Sequence, residues 1–159
     1  MIFKSLFKRP NPTPLLTSRL YDERSFYPAF MNDLGRCKCE LIIESPFITH
    51  KRMNALYPSF RRLTKRGVHI VINTRDPMEH DWRMRVEAEA AIVILQELGT
   101  RILFTDNHHR KLAIVDGSIL FEGSLNILSQ SSSCEVMRRI ESANLVTEML
   151  AFTGIGKFL

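Results

Sequence analysis

The sequence predicts an α/β domain, a mixed β-sheet flanked by helices, and three observations carry that prediction. Short apolar runs alternate with amphipathic stretches of helical spacing through the first two thirds of the chain. A tight turn then joins two further apolar runs, which adds antiparallel strands to the parallel ones. Finally, 159 residues with 45% hydrophobic and 25% charged content suit one domain with its own core.

Taken in order, Pro10, Pro12 and Pro14 fall at alternate positions and force an extended lead-in, so residues 1–14 form a basic N-terminal tail and residues 15–159 the domain. Leu15 to Tyr21 reads as a first strand. Ser25 to Gly35 reads as a short helix, with Phe26, Phe30 and Leu34 on one face and Pro28 in the first turn, where proline is tolerated. Glu40 to Ser45 is a compact buried strand, stopped by Pro46. Lys51 to Arg66 is an amphipathic helix carried by Met53, Leu56, Phe60 and Leu63, and Pro58 should kink or divide it. Gly67 ends it, and Val68 to Asn73 is the next strand. Asp81 to Leu98 is a long helix ended by Gly99, and Arg101 to Thr105 a strand. Lys111–Asp116 and Ile119–Glu122 form a hairpin around Asp116-Gly117-Ser118. Glu135 to Ile140 and Glu141 to Phe152 supply a last strand and helix.

Composition excludes several function classes. No apolar run approaches the ~20 residues of a membrane span, so no stable membrane insertion is expected. The first ten residues place Lys4, Lys8 and Arg9 among apolar residues, which is not a signal-peptide pattern, and a cytoplasmic location follows as the default. Three cysteines, Cys37, Cys39 and Cys134, match no strong zinc pattern and read as reduced thiols. The net charge of +5 favours an anionic partner. Asp76, Glu79, His80 and Asp81 are metal-ligand types, but a loop entering a helix accounts for them. Lys51, Arg52, Arg61, Arg62, Lys65 and Arg66 gather on one helix, as a solvated face or as a contact to a nucleic-acid backbone.

The chemistry concentrates between Asn107 and Glu135, and it opens with Asn107-His108-His109-Arg110-Lys111. On an extended strand His109 and Lys111 point to the same side, where an imidazole can attack phosphorus while an ammonium neutralises the non-bridging oxygens. Asp116 stands at the turn after four apolar residues. Behind the second hairpin strand, Ser124 and Asn126 share a face and offer neutral donors to phosphate oxygens. Gly123 would let the backbone approach a ligand. Glu135, heading the next strand, could hold the second nitrogen of His109. Of Arg138 and Arg139, which alternate, only one can face the site.

These residues resemble the phospholipase D superfamily, whose signature is His-x-Lys-x4-Asp followed by Gly-Ser-x-Asn. His109, Lys111, Asp116, Gly123, Ser124 and Asn126 supply every element. The resemblance reaches back through Glu44-Ser45-Pro46-Phe47 and covers roughly residues 17 to 152; the text is similar to bacterial domains of this family found alone or beside helicase domains. It implies a phospholipase D-like fold and a phosphohistidine formed on His109. Lys111, Ser124 and Asn126 would bind the phosphate, Asp116 would brace the loop and strand, and Glu135 would orient His109. No metal and no cofactor is needed. The family uses two His-x-Lys motifs, whereas His50, His69, His80 and His108 are followed at the second place by Arg52, Val71, Trp82 and Arg110. One chain therefore holds half a site, and a homodimer would complete it. The expected activity is a phosphodiesterase, a nuclease on DNA or RNA. The alternatives are a nucleic-acid-binding module serving a helicase or restriction partner, and a phospholipid phosphodiesterase.

Overall fold

The computed structural model describes residues 17–159; the expected basic tail over residues 1–14 and the start of the expected first strand lie outside them. Seven strands and four helices follow in the order β1 (Thr17–Asp22), α1 (Phe26–Arg36), β2 (Glu40–Glu44), α2 (His50–Lys65), β3 (His69–Thr74), α3 (Trp82–Glu97), β4 (Arg101–Phe104), β5 (Leu112–Val115), β6 (Ile119–Gly123), β7 (Val136–Glu141) and α4 (Ala143–Thr153). Short 3-10 turns at Pro77–Glu79 and Ile155–Phe158 add to the elements that periodicity predicts. The strands form one mixed sheet in the order β1-β7-β6-β5-β2-β3-β4. β2, β3 and β4 are parallel, and the remaining neighbours are antiparallel.

The two faces are covered unequally. Leu41, Ile43, Ala113, Val115, Phe121 and Met137 point to the face packed by α1, α2 and α3. Ile42, Val71, Leu112, Ile114 and Leu120 point to the other, which among the described residues packs on Val146, Met149 and Leu150 of α4 and the closing Ile155. Central strands buried on both faces read as continuous apolar runs, which is why ELII and LAIV show no alternation. Among the described residues this cover thins toward β1 and the start of β7, where Leu20 and Val136 are exposed.

Pro58 does not divide α2, which runs unbroken from His50 to Lys65. It lies on the exposed side, where the carbonyl it cannot bond is within reach of water. The last helix starts at Ala143 rather than Glu141, because Ser142 caps it by accepting from the Leu145 N–H at 3.3 Å. The helical basic set is also divided. Arg52 lies 3.8 Å over the Tyr27 ring and donates to the Gln130 carbonyl, while Arg66 donates to the carbonyls of Leu34, Gly35 and Cys37. Both hold loops, leaving Lys51, Arg61, Arg62 and Lys65 as the solvated face.

Candidate active site

The sheet register pairs Leu112 with Glu44, so the start of β5 stands beside the end of β2. The segment from Thr105 to Lys111 crosses that end of the sheet. The apolar pattern predicts β5 from Lys111, but the strand begins at Leu112, and His109 and Lys111 belong to its extended lead-in. That lead-in still follows β6, since the Gly123 N–H donates to the Lys111 carbonyl at 3.3 Å. Side chains therefore alternate as on a strand. His108 is buried, His109 exposed. Lys111 Nζ lies 2.8 Å from His109 Nδ1 and donates to the His109 carbonyl at 2.9 Å. An ammonium can only donate, so Nδ1 carries the lone pair and the ring proton sits on Nε2. Partial burial lowers the Lys111 pKa; the charge of Glu135 opposes the shift and that of Arg75 adds to it.

Ser124 and Glu135 come together across the β6–β7 connection. Ser124 Oγ donates to a Glu135 carboxylate oxygen and accepts from the Val136 N–H at 3.1 Å. Ser133 Oγ donates to the other carboxylate oxygen at 2.7 Å. These hydroxyls hold the Glu135 pKa below the ordinary glutamate value. Glu135 thus acts on the site as a charge near Lys111, and the hydrogen bond to His109 Nδ1 comes from Lys111. The Asn126 carbonyl accepts from the Ser129 and Gln130 N–H groups at 3.0 and 2.8 Å, and its Oδ1 is buried without a partner.

Asp116 stands at the opposite end of β5, with φ of 49° at the hairpin turn. Its carboxylate accepts from the backbone N–H groups of Lys38, Cys39 and Glu40 at 2.8–3.2 Å and from Cys37 Sγ. Those donors pull its pKa down against its partial burial. It ties the hairpin to the α1–β2 turn. Burial, with the charge of Asp116 adding to it, pushes the Cys37 thiol up to about 12. Gly123 also has a structural explanation. A Cβ there would lie 2.1 Å from the Val136 carbonyl oxygen, so its close approach is to β7 rather than to a ligand. Of the two arginines, Arg139 is paired with Asp33 and Glu141. Arg138 lines an open groove of about 650 Å³ together with Leu20, His109, Lys111, Val136 and Phe152.

Sequence reasoning missed the groups behind and beside His109. Glu44 is fully buried, and Arg110 grips its carboxylate through Nε and Nη2. Asn73 Nδ2 approaches the same carboxylate at 3.5 Å while its Oδ1 accepts from Thr105 Oγ1 at 3.0 Å. His108 Nε2 lies 3.9 Å from Glu44 and makes no hydrogen bond. A carboxylate closing an apolar strand, and the in–out alternation of His-His-Arg-Lys, were the available signals. On the other flank the Phe47 ring stands edge-on to His109 at 6.2 Å and packs on His80 at 5.2 Å, with Arg75 5.6 Å above it. Asp76 and Asp81 cap the 3-10 turn and α3 respectively, and Glu79 accepts from the Asn107 N–H. Among the described residues, no three histidine, cysteine or carboxylate side chains gather as a metal site.

Known proteins share this fold. The family model described as cardiolipin synthase, PLD-like domain matches residues 30–153. No curated protein matches the chain. Among solved structures, the chain is similar to Nuc from Salmonella typhimurium, a phospholipase D family member, at 19% identity and TM-score 0.68, covering 86% of this chain and 91% of that one. NucT from Helicobacter pylori follows at 15% and 0.68, covering 86% and 92%. Phosphatidylserine synthase from Haemophilus influenzae Rd KW20 gives 12% and 0.69, covering 93% of this chain and 39% of that one. With its fold shared and more than two thirds of its length matched, the chain belongs to the phospholipase D superfamily.

Proposed function

We propose that this protein is a metal-independent phosphodiesterase that cleaves DNA or RNA through a phosphohistidine on His109, in a site shared by two copies of the chain. The observation that carries the reading is the His109–Lys111 pair. A nucleophilic ring nitrogen and a fixed cation 2.8 Å apart stand on an exposed segment whose backbone is anchored on both sides. Phosphate oxygens compete for Lys111 Nζ and draw it from Nδ1. The ring proton then moves to Nδ1, and the Nε2 lone pair attacks phosphorus. As the P–Nε2 bond forms, the bond to the leaving oxygen breaks, and the partner's His109 as imidazolium gives that oxygen its proton. Water then attacks phosphorus, releases His109 and restores the proton. Glu135 supports the cation by its charge, the Asn126 amide can supply a neutral donor, and Ser124, whose one proton goes to Glu135, holds that carboxylate in place. Nuc and NucT lend the nuclease reading fold-level support, and the basic balance of the chain fits a polyanion. A cytoplasmic location and a helicase or restriction partner accompany this reading as proposals.

The test is incubation with single- and double-stranded DNA and RNA in excess EDTA, beside His109→Ala. Cleavage by the wild type alone, with a loss of about 10³-fold or more in the variant, is expected. Binding without cleavage by either protein overturns catalysis and leaves the binding module.

A further inference from the structure

One groove lies on the α4 side of His109, and the opposite flank carries another. This second groove, of about 340 Å³, is lined by Phe47, Ile48, Thr49, His80, Arg83, Met84, Glu87 and Ser129. It adjoins the candidate site through one side chain, because the Phe47 ring lies next to both His109 and His80. We infer that this groove is a nucleobase subsite, which receives the base adjoining the scissile phosphate of a single-stranded nucleic acid. The inference rests on the phosphodiesterase reading above.

Three features favour a base over the other occupants. First, the volume lies at the small end of the ~300–1,000 Å³ range of small-molecule sites, and aromatic and thioether surface lines it. The π-face of a base stacks on such surface whatever its sequence. Second, both signs of charge are offered. Lys111 and Arg75 gather at the His109 end, while Arg83 and Glu87 line the groove itself. The carboxylate can accept from the amino groups of a base, and the guanidinium can donate to its carbonyl and ring-nitrogen acceptors. Third, Thr49, His80, Arg83, Glu87 and Ser129 set hydrogen-bonding groups around the apolar surface, which the edge of a base can use and an acyl chain cannot. His80 has its pKa lowered chiefly by burial, which suits a neutral ring stacked in the groove. A base held in a duplex is stacked on its neighbours and cannot enter, so the preference is for single strands.

The test uses the full chain with His109→Ala, which binds without turnover, and oligonucleotides carrying an abasic residue at successive positions. Trp82, the single tryptophan, is 79% exposed beside Arg83 and reports binding by its fluorescence. We expect one abasic position to weaken binding roughly 10-fold or more. Adding His80→Ala and Phe47→Leu should erase that difference between abasic and intact strands. Equal binding of intact and abasic strands by the parent overturns the subsite, even where the wild type cleaves nucleic acid. A Trp82 response to phosphatidylglycerol vesicles but not to oligonucleotides overturns it in favour of a lipid surface. Failure of the phosphodiesterase reading shows separately, as an absence of cleavage by the wild type.

Discussion

Glu44 is fully buried and needs a compensating cation, which Arg110 provides from the very segment that carries His109. Breaking such a pair by removing one partner costs about 3–5 kcal/mol, so this anchor fixes the position of the exposed pair above it. His108 completes the underside and has a consequence for pH. Burial first, then the charges of Arg110, Arg75, Lys111 and His109, bring its pKa down to about 4. Glu44 faces it at 3.9 Å and opposes that shift. In the unfolded chain it titrates near 6.5, so the folded state is disfavoured as pH falls from about 6.5 toward 4. The neutral ring imposes no such penalty above that window. By linkage, the wild type should lose about 2–3 kcal/mol more than His108→Gln between pH 7 and pH 4.5. Urea unfolding of both proteins across that range measures it, and parallel curves would refute a buried neutral His108. The pairing of His109 with Lys111 was legible because period-two alternation is a backbone property. The support beneath it was not, because Glu44 and Arg110 lie 66 residues apart and meet only through the β2–β5 pairing.

Among the elements, the β6–β7 crossing governs how the site is assembled. Gly123 sits where β7 passes closest, and the following Ser124 uses that proximity to bond Val136 and Glu135. Gly123→Ala puts a methyl 2.1 Å from a backbone carbonyl oxygen that cannot rotate away. Overpacking of this kind costs about 1–3 kcal/mol, and here the strain falls on the strand that orders Glu135. We expect a lower thermal midpoint and a loss of cleavage larger than the loss of folded protein. A variant as stable as wild type would show that the strands separate freely at this point. The element boundaries obey the same logic. The strands and helices read from apolar periodicity are all present, and the shifts of one or two residues occur where a cap or a ladder bond decides. Ser142 moves the start of α4, and the exposed position of Pro58 keeps α2 whole. Pattern alone shows neither, because each depends on which side of the helix meets the solvent. The Asp116 ties to the α1–β2 turn also required the fold, since three of its partners are backbone groups with no sequence signature.

For the whole molecule, the unequal cover of the sheet is the feature that bears on assembly. Among the described residues, α1, α2 and α3 close one face, while α4 closes part of the other. The remainder leaves Leu20 and Val136 exposed on the sheet and Phe152 on α4, all lining the groove that contains His109 and Lys111. Apolar surface gathered beside a half-site is what a twofold partner would cover, and covering it there would bring the two His109 side chains to a common axis. The charged Arg138 lines the same groove. If the proposed dimer forms on this face, Phe152→Glu places a buried charge at the contact on both copies at once. Sedimentation should then move from dimer to monomer, and cleavage should fall by at least two orders of magnitude, because each copy loses its acid. The free chain should keep its fold, since Phe152 is 84% exposed and contributes little to its own core. A Phe152→Glu protein that stays dimeric would move the interface elsewhere. A monomer that cleaves at the wild-type rate would mean that a single His109 suffices and that the second proton donor lies within the same chain.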